Sequence, residues 1–65
     1  MEMNYLRDLL HSGTTVKVIV TNGFQMVGYI DDIGVQAIIL ESAGVRKLVF
    51  FHAISTIEPF TKKER

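Results

Sequence analysis

A chain of 65 residues makes one domain, and a domain this short buries only about 60% of the surface its unfolded chain exposes. With no cysteine and two histidines, a disulfide and a thiolate metal site are excluded and a zinc site lacks ligands. Lys+Arg and Asp+Glu are both 7, so the net charge is zero. That argues against a protein coating DNA through many phosphate contacts, and leaves open recognition of RNA by stacking and base-edge hydrogen bonds.

The apolar share is 48%, ample for so small a core. Self-association is the expected staple, because it buries strand faces that a monomer leaves wet. No apolar run reaches the ~18 residues of a membrane span. The start, M-E-M-N-Y-L-R-D-L-L, lacks the basic head and small-residue cleavage site of a signal peptide. A cytoplasmic protein with no membrane partner, no cofactor and no metal is the simplest expectation.

Residues 3–12, M-N-Y-L-R-D-L-L-H-S, predict a short amphipathic helix. Asn4 is its expected cap, Tyr5, Leu6, Leu9 and Leu10 fall at helical spacing, and Gly13 ends it. From Thr14 the period changes to two. Val16, Val18 and Val20 share one face of a first strand, and Lys17, Ile19 and Thr21 share the other. Asn22-Gly23 is a strong hairpin signal. The next strand is expected to put Phe24, Met26 and Ile30 inward, and Gly28 within it suggests a bend or bulge. Gly34 marks a turn, Gln36–Glu41 a third strand, and Ser42-Ala43-Gly44 another turn. Val45–Phe51 reads as a fourth strand and Ile54–Glu58 as a short fifth, stopped by Pro59.

The fold class expected from this order is mainly β. A short N-terminal helix precedes a strongly bent five-stranded antiparallel sheet, a small open barrel. Residues 1–60 form the domain, with strands over about 14–58, and 61–65 are a flexible tail. The last strands leave an apolar edge that invites a second copy, and a heterologous pairing of that kind closes into a ring. Catalysis finds little support. No nucleophile has a visible base, and Asp31 and Asp32, as neighbours in a strand, face opposite sides.

Two stretches carry a family resemblance. T-N-G-F-Q-M-V-G-Y-I-D-D resembles the first Sm motif of the bacterial RNA chaperone Hfq, and F-F-H-A-I-S-T-I-E-P resembles the second Sm signature, Tyr-Lys-His followed by Ala-Ile-Ser-Thr. The resemblance spans roughly residues 5–59 and implies an Sm-like fold. It also implies a homohexameric ring built by pairing the fourth strand with the fifth of the next subunit, through Val49, Phe50, Phe51, Ile54 and Ile57. The implied partners are small regulatory RNAs, mRNAs and A-rich single strands. U-rich RNA would enter the pore on the helix side, the proximal face, and A-rich RNA would lie on the opposite, distal face.

Residue by residue, the match is uneven. On the distal side Gly23, Phe24, Gln25, Met26 and Thr56 fit the Gram-positive pattern, with Phe24 as the stacking ring. Ile19 replaces an aromatic, Val27 a polar residue, and Lys47, preceded by Arg46, a glutamine that reads adenine. At the proximal pore His52 matches, whereas Phe51 stands where the family carries lysine. The loop Gly34-Val35-Gln36 lacks the family's aromatic, leaving Gln36 as a hydrogen-bonding group. A carboxylate, Glu2, falls near a family glutamine. The basic rim of the helix reduces to Arg7, since its late positions hold Leu10, His11 and Gly13. The resemblance thus implies an RNA-binding post-transcriptional regulator with distal binding kept and proximal binding weakened. The alternative is a paralogue that keeps the fold and has lost most RNA affinity.

Overall fold

The computed structural model describes residues 2–60; the tail expected over 61–65 lies outside the described residues. Helix α1 runs Met3–Ser12. Its apolar stripe does what the spacing predicts: Leu6 and Leu9 are buried, and Leu10 packs half-buried against the same core. Full burial of a leucine contributes about 1.5–3 kcal/mol. A helix of this length needs that help, because it is marginal alone in water. Tyr5, expected on the same stripe, is exposed.

The helix starts differently from expectation. Glu2 is the N-cap and makes no side-chain capping bond, so Asn4 lies within the first turn. Met3 packs against the core and anchors that turn by apolar contact instead. The other end is as expected: Gly13 sits at φ 67° and its N–H donates to the Leu10 carbonyl.

The strands are β1 (Thr15–Val20), β2 (Gln25–Ile33), β3 (Ala37–Ser42), β4 (Val45–Phe50) and β5 (Ile54–Pro59), with a short 3-10 turn, Phe51–Ala53, between the last two. They form one antiparallel sheet in the order β4-β3-β2-β1-β5. Pro59 does not stop β5 before itself; it is the last paired residue, opposite Val16. Proline lacks the ladder donor and is tolerated there because β5 is an edge strand.

One core draws on every element. Val16 and Val18 of β1, Ile30 of β2, Ile38 and Leu40 of β3 and Val49 of β4 join Leu6 and Leu9, and Ile54 and Ile57 of β5 pack against them. A flat sheet cannot bring five strands to one core, so the sheet must bend. Gly28 permits part of this. A Cβ there would lie 2.8 Å from the Glu41 carbonyl carbon, 3.0 Å from Ser42 Cα, and closer still to the Glu41 oxygen. The bulge itself is not at Gly28. The register runs Ile30↔Leu40 and then Asp32↔Ile39, so Asp31 is the extra residue. The glycine provides close approach of β3, and the bulge provides the turn of direction.

Phe24 corrects a second expectation. It shares the parity of Met26 and Ile30, yet it precedes β2 and is 60% exposed. It sits in the turn beyond the strand, where the alternation of β2 no longer sets the direction of the side chain. The Asn22-Gly23 hairpin also differs from the two-residue turn its sequence suggests. Residues 21–24 connect the strands, and only Gly23, at φ 91°, has a positive φ there. The true two-residue hairpin is Ala43-Gly44, with φ 54° and 80°.

Candidate nucleic-acid interface

Three strands place the distal candidates. Gln25 pairs with Ile19 across β2–β1, and Ile19 pairs with Thr56 across β1–β5. Directly opposed residues of antiparallel strands share a face, so Gln25, Ile19 and Thr56 form one row. It lies on the face away from Val16 and Val18, because strand residues alternate. Gln25 and Thr56 are exposed and Ile19 is half-buried between them. This row offers amide and hydroxyl groups flanking an apolar floor. Gly23 and the exposed Phe24 ring lie at its turn end.

The remaining distal candidates separate from this row. Met26 pairs with Val18, which pairs with Ile57. All three therefore face the core, and Met26 is half-buried against it. Lys47 pairs with Leu40, which pairs with Ile30, so it takes the core-side parity at the rim of the sheet. Arg46 points to the other face of β4, with its guanidinium 2.7 Å from the Asp31 carboxylate. The two cations therefore do not act as a pair. Arg46 is held by a residue that the bulge displaces, a contact no sequence signal announced. Asp32 does not share that ion pair: its Oδ1 accepts the Ile33 N–H at 2.8 Å.

The proximal candidates come together at the 3-10 turn. The Phe51 N–H donates to the Gln36 carbonyl and the Thr21 N–H to the Ala53 carbonyl, both at 2.8 Å. These bonds fix Phe51–Ala53 between the β2–β3 loop and the β1–β2 connection, and bring Gln36 beside His52. His52 is exposed, and its ring stacks on Phe50 with centroids 5.7 Å apart and planes 20° from parallel. Phe51 turns inward and packs half-buried against the core. Val49 is 6% exposed, so its side chain is committed to the monomer core and only its backbone is available to a neighbouring strand. Phe50 is 43% exposed, while Ile54 and Ile57 are half-buried.

Arg7 lies on the wall of an open groove of about 550 Å³ between α1 and the β2–β3 loop. Met3, Leu10 and Ile33 make it apolar, Arg7 and Asp32 place charge of both signs around it, and His11 adds an imidazole. Sequence reading singled out Arg7 but not the groove, which exists only because the loop folds back beside the helix. Among the described residues, no group of three or more His, Asp or Glu could hold a metal ion, and no helix is long and apolar enough to cross a membrane.

A helix on an unclosed five-stranded sheet, with an exposed turn aromatic and a histidine at the β4–β5 corner, has a counterpart among known families. The family model for Hfq protein matches residues 2–64. The chain belongs to the Hfq family. An RNA-binding protein Hfq from Geobacillus sp. (strain WCH70) is 40% identical over 55 residues, which cover 85% of this chain and 74% of that one. Its namesake from Alkaliphilus metalliredigens (strain QYMF) is 33% identical over 57 residues, covering 88% and 71% of the two chains. A crystal structure of the pleiotropic translational regulator Hfq superposes with a TM-score of 0.82 at 36% identity, over 85% of this chain and 92% of the other. The Sm-like fold is thereby shown for this Hfq-family chain. Phe51, the residue that the motif resemblance sets against a lysine, packs inward and brings no charge beside His52.

Proposed function

We propose that the protein is an Hfq-type RNA-binding protein that holds small regulatory RNAs and mRNAs on the faces of a hexameric ring. It works without covalent chemistry, by raising the effective concentration of two RNA segments for pairing. Family membership supports RNA binding, and the open sheet supports the ring. β4 and β5 are the two outer strands, each with one edge unpaired among the described residues. A free edge of one copy is the natural partner for the opposite edge of the next, and such head-to-tail pairing closes when the rotation allows.

A-rich RNA is the preferred ligand, along the Gln25 and Thr56 row and the Gly23-Phe24 turn at its end. Phe24 is the observation that carries this reading. Leaving a phenylalanine 60% exposed forgoes much of the roughly 1.5–3 kcal/mol its burial would supply. Stacking of a base on such a ring contributes about 1–3 kcal/mol. U-rich binding at the pore is weak, because Phe51 supplies no charge and Gln36 and His52 offer only hydrogen bonds and one stacking surface. The rim, reduced to Arg7 with Asp32 on the opposite wall of the groove, adds little.

Fluorescence anisotropy with labelled A-rich and U-rich oligonucleotides tests the reading, once light scattering across a concentration series has established the ring. Tighter A-rich binding is expected. Tighter U-rich binding would overturn the assignment of faces. A folded ring that binds neither at low salt would favour the alternative paralogue, a reading that the tethered Arg46 and the inward Phe51 support.

A further inference from the structure

The connection between β1 and β2 is closed by three hydrogen bonds. The Gly23 N–H donates to the Val20 carbonyl at 2.8 Å and the Val20 N–H to the Phe24 carbonyl at 2.9 Å. The third uses a side chain: the Phe24 N–H donates to Asn22 Oδ1 at 2.9 Å. Both backbone polar groups of Phe24 are therefore occupied, while the residue stays largely exposed.

Asparagine before glycine in a hairpin is usually explained by its tolerance of positive φ. That reason does not hold here, because Asn22 is not among the positive-φ residues. What the position uses is the side-chain oxygen. Nor does burial account for it, since residues 21–25 are all exposed.

We infer that Asn22 is a positioning residue for RNA: its side-chain acceptor fixes the Phe24 backbone so that the ring is held ready to stack on a purine base. The inference rests on the reading of the Phe24 face as the A-rich site. The physical reason is preorganisation. A ring on a loop that samples several conformers must be ordered when the base arrives, and that ordering subtracts from affinity. Asn22 has done the ordering beforehand, without occupying the face of the ring.

A double-mutant cycle read by anisotropy with a labelled oligoadenylate tests this, using the intact ring. Asn22→Ala is expected to weaken binding by about three- to tenfold, the span that corresponds to one net hydrogen bond. In a Phe24→Ala background the same change is expected to matter less than about twofold. Asn22→Asp keeps the acceptor and is expected to restore affinity at high salt, where its charge is screened from phosphate. Light scattering should match the parent for all variants, the melting temperature of Asn22→Ala should fall by no more than about 10 °C, which leaves the ring folded at the assay temperature, and U-rich affinity should not change. Equal losses from Asn22→Ala with and without Phe24, or no loss at all, overturn the positioning role while leaving the A-rich face intact. If Phe24→Ala itself binds oligoadenylate like the parent, the A-rich face and the Asn22 role fail together.

Discussion

Gly28→Ala should dismantle the bend on which both proposed RNA faces depend. The added Cβ would sit 2.8 Å from the Glu41 carbonyl carbon and 3.0 Å from Ser42 Cα, and closer still to the Glu41 oxygen. Carbon atoms pack best at about 3.5–4.0 Å, so β3 must retreat by roughly 1 Å. The Tyr29–Glu41 and Ile30–Leu40 pairs lie beside this point. A hydrogen bond near 2.9 Å stretched by that amount is lost. So is the Ser42 Oγ–H bond to the Val27 carbonyl, now 2.7 Å. Overpacking costs about 1–3 kcal/mol where side chains can yield. Here the obstacle is backbone, so the expected loss is about 3 kcal/mol or more. A domain of this size has roughly 3–10 kcal/mol of stability, and each kcal/mol shifts Tm by about 4–8 °C. Thermal melts followed by circular dichroism, at one fixed protein concentration, should therefore show a fall of at least about 12 °C or no folded protein. Gly34→Ala is the control, because its Cβ would meet only the Ala37 oxygen at 3.3 Å. A Gly28→Ala melt within about 3 °C of the parent would refute the close-approach account.

Two further predictions concern the hairpin and the pore. Ala43 holds φ 54° in the two-residue turn before Gly44, a region that costs most L-residues about 1–2 kcal/mol and that asparagine tolerates better. Ala43→Asn should raise stability by about 0.5–1 kcal/mol in urea titrations, with RNA affinity unchanged. Phe51→Lys should tighten U-rich binding by adding charge beside His52. It should also cost about 1–2 kcal/mol, since the half-buried ring leaves the core. Unchanged U-rich affinity in an intact ring would show that position 51 does not limit proximal binding.

Much of this protein was legible because local patterns and global fold agree. Period-two alternation placed Val16 and Val18 inward, helical spacing placed Leu6 and Leu9 on the core, and Gly13 ended the helix as its type suggests. The Sm-like motifs then named the family. The errors share one cause: they fall where a residue's type is ambiguous until its neighbours in space are known. Parity put Phe24 inside, because alternation cannot show where the strand stops. Gly28 suggested a bend or a bulge without deciding between them, because close approach and bulging leave the same signature in sequence; the glycine serves the close approach, and the extra residue is Asp31.

The sequence by itself determined the elements, the hydrophobic faces and the family, since these follow from periodicity and turn chemistry over a few residues. Tertiary structure alone decided which candidate residues share a face. Cross-strand register aligned Gln25, Ile19 and Thr56 and turned Met26 to the core. The bulge at Asp31 gave Arg46 its carboxylate. The backbone bond from Phe51 to Gln36 brought the pore candidates together. Each of these depends on contacts between residues far apart in the chain, and local sequence carries no record of distance.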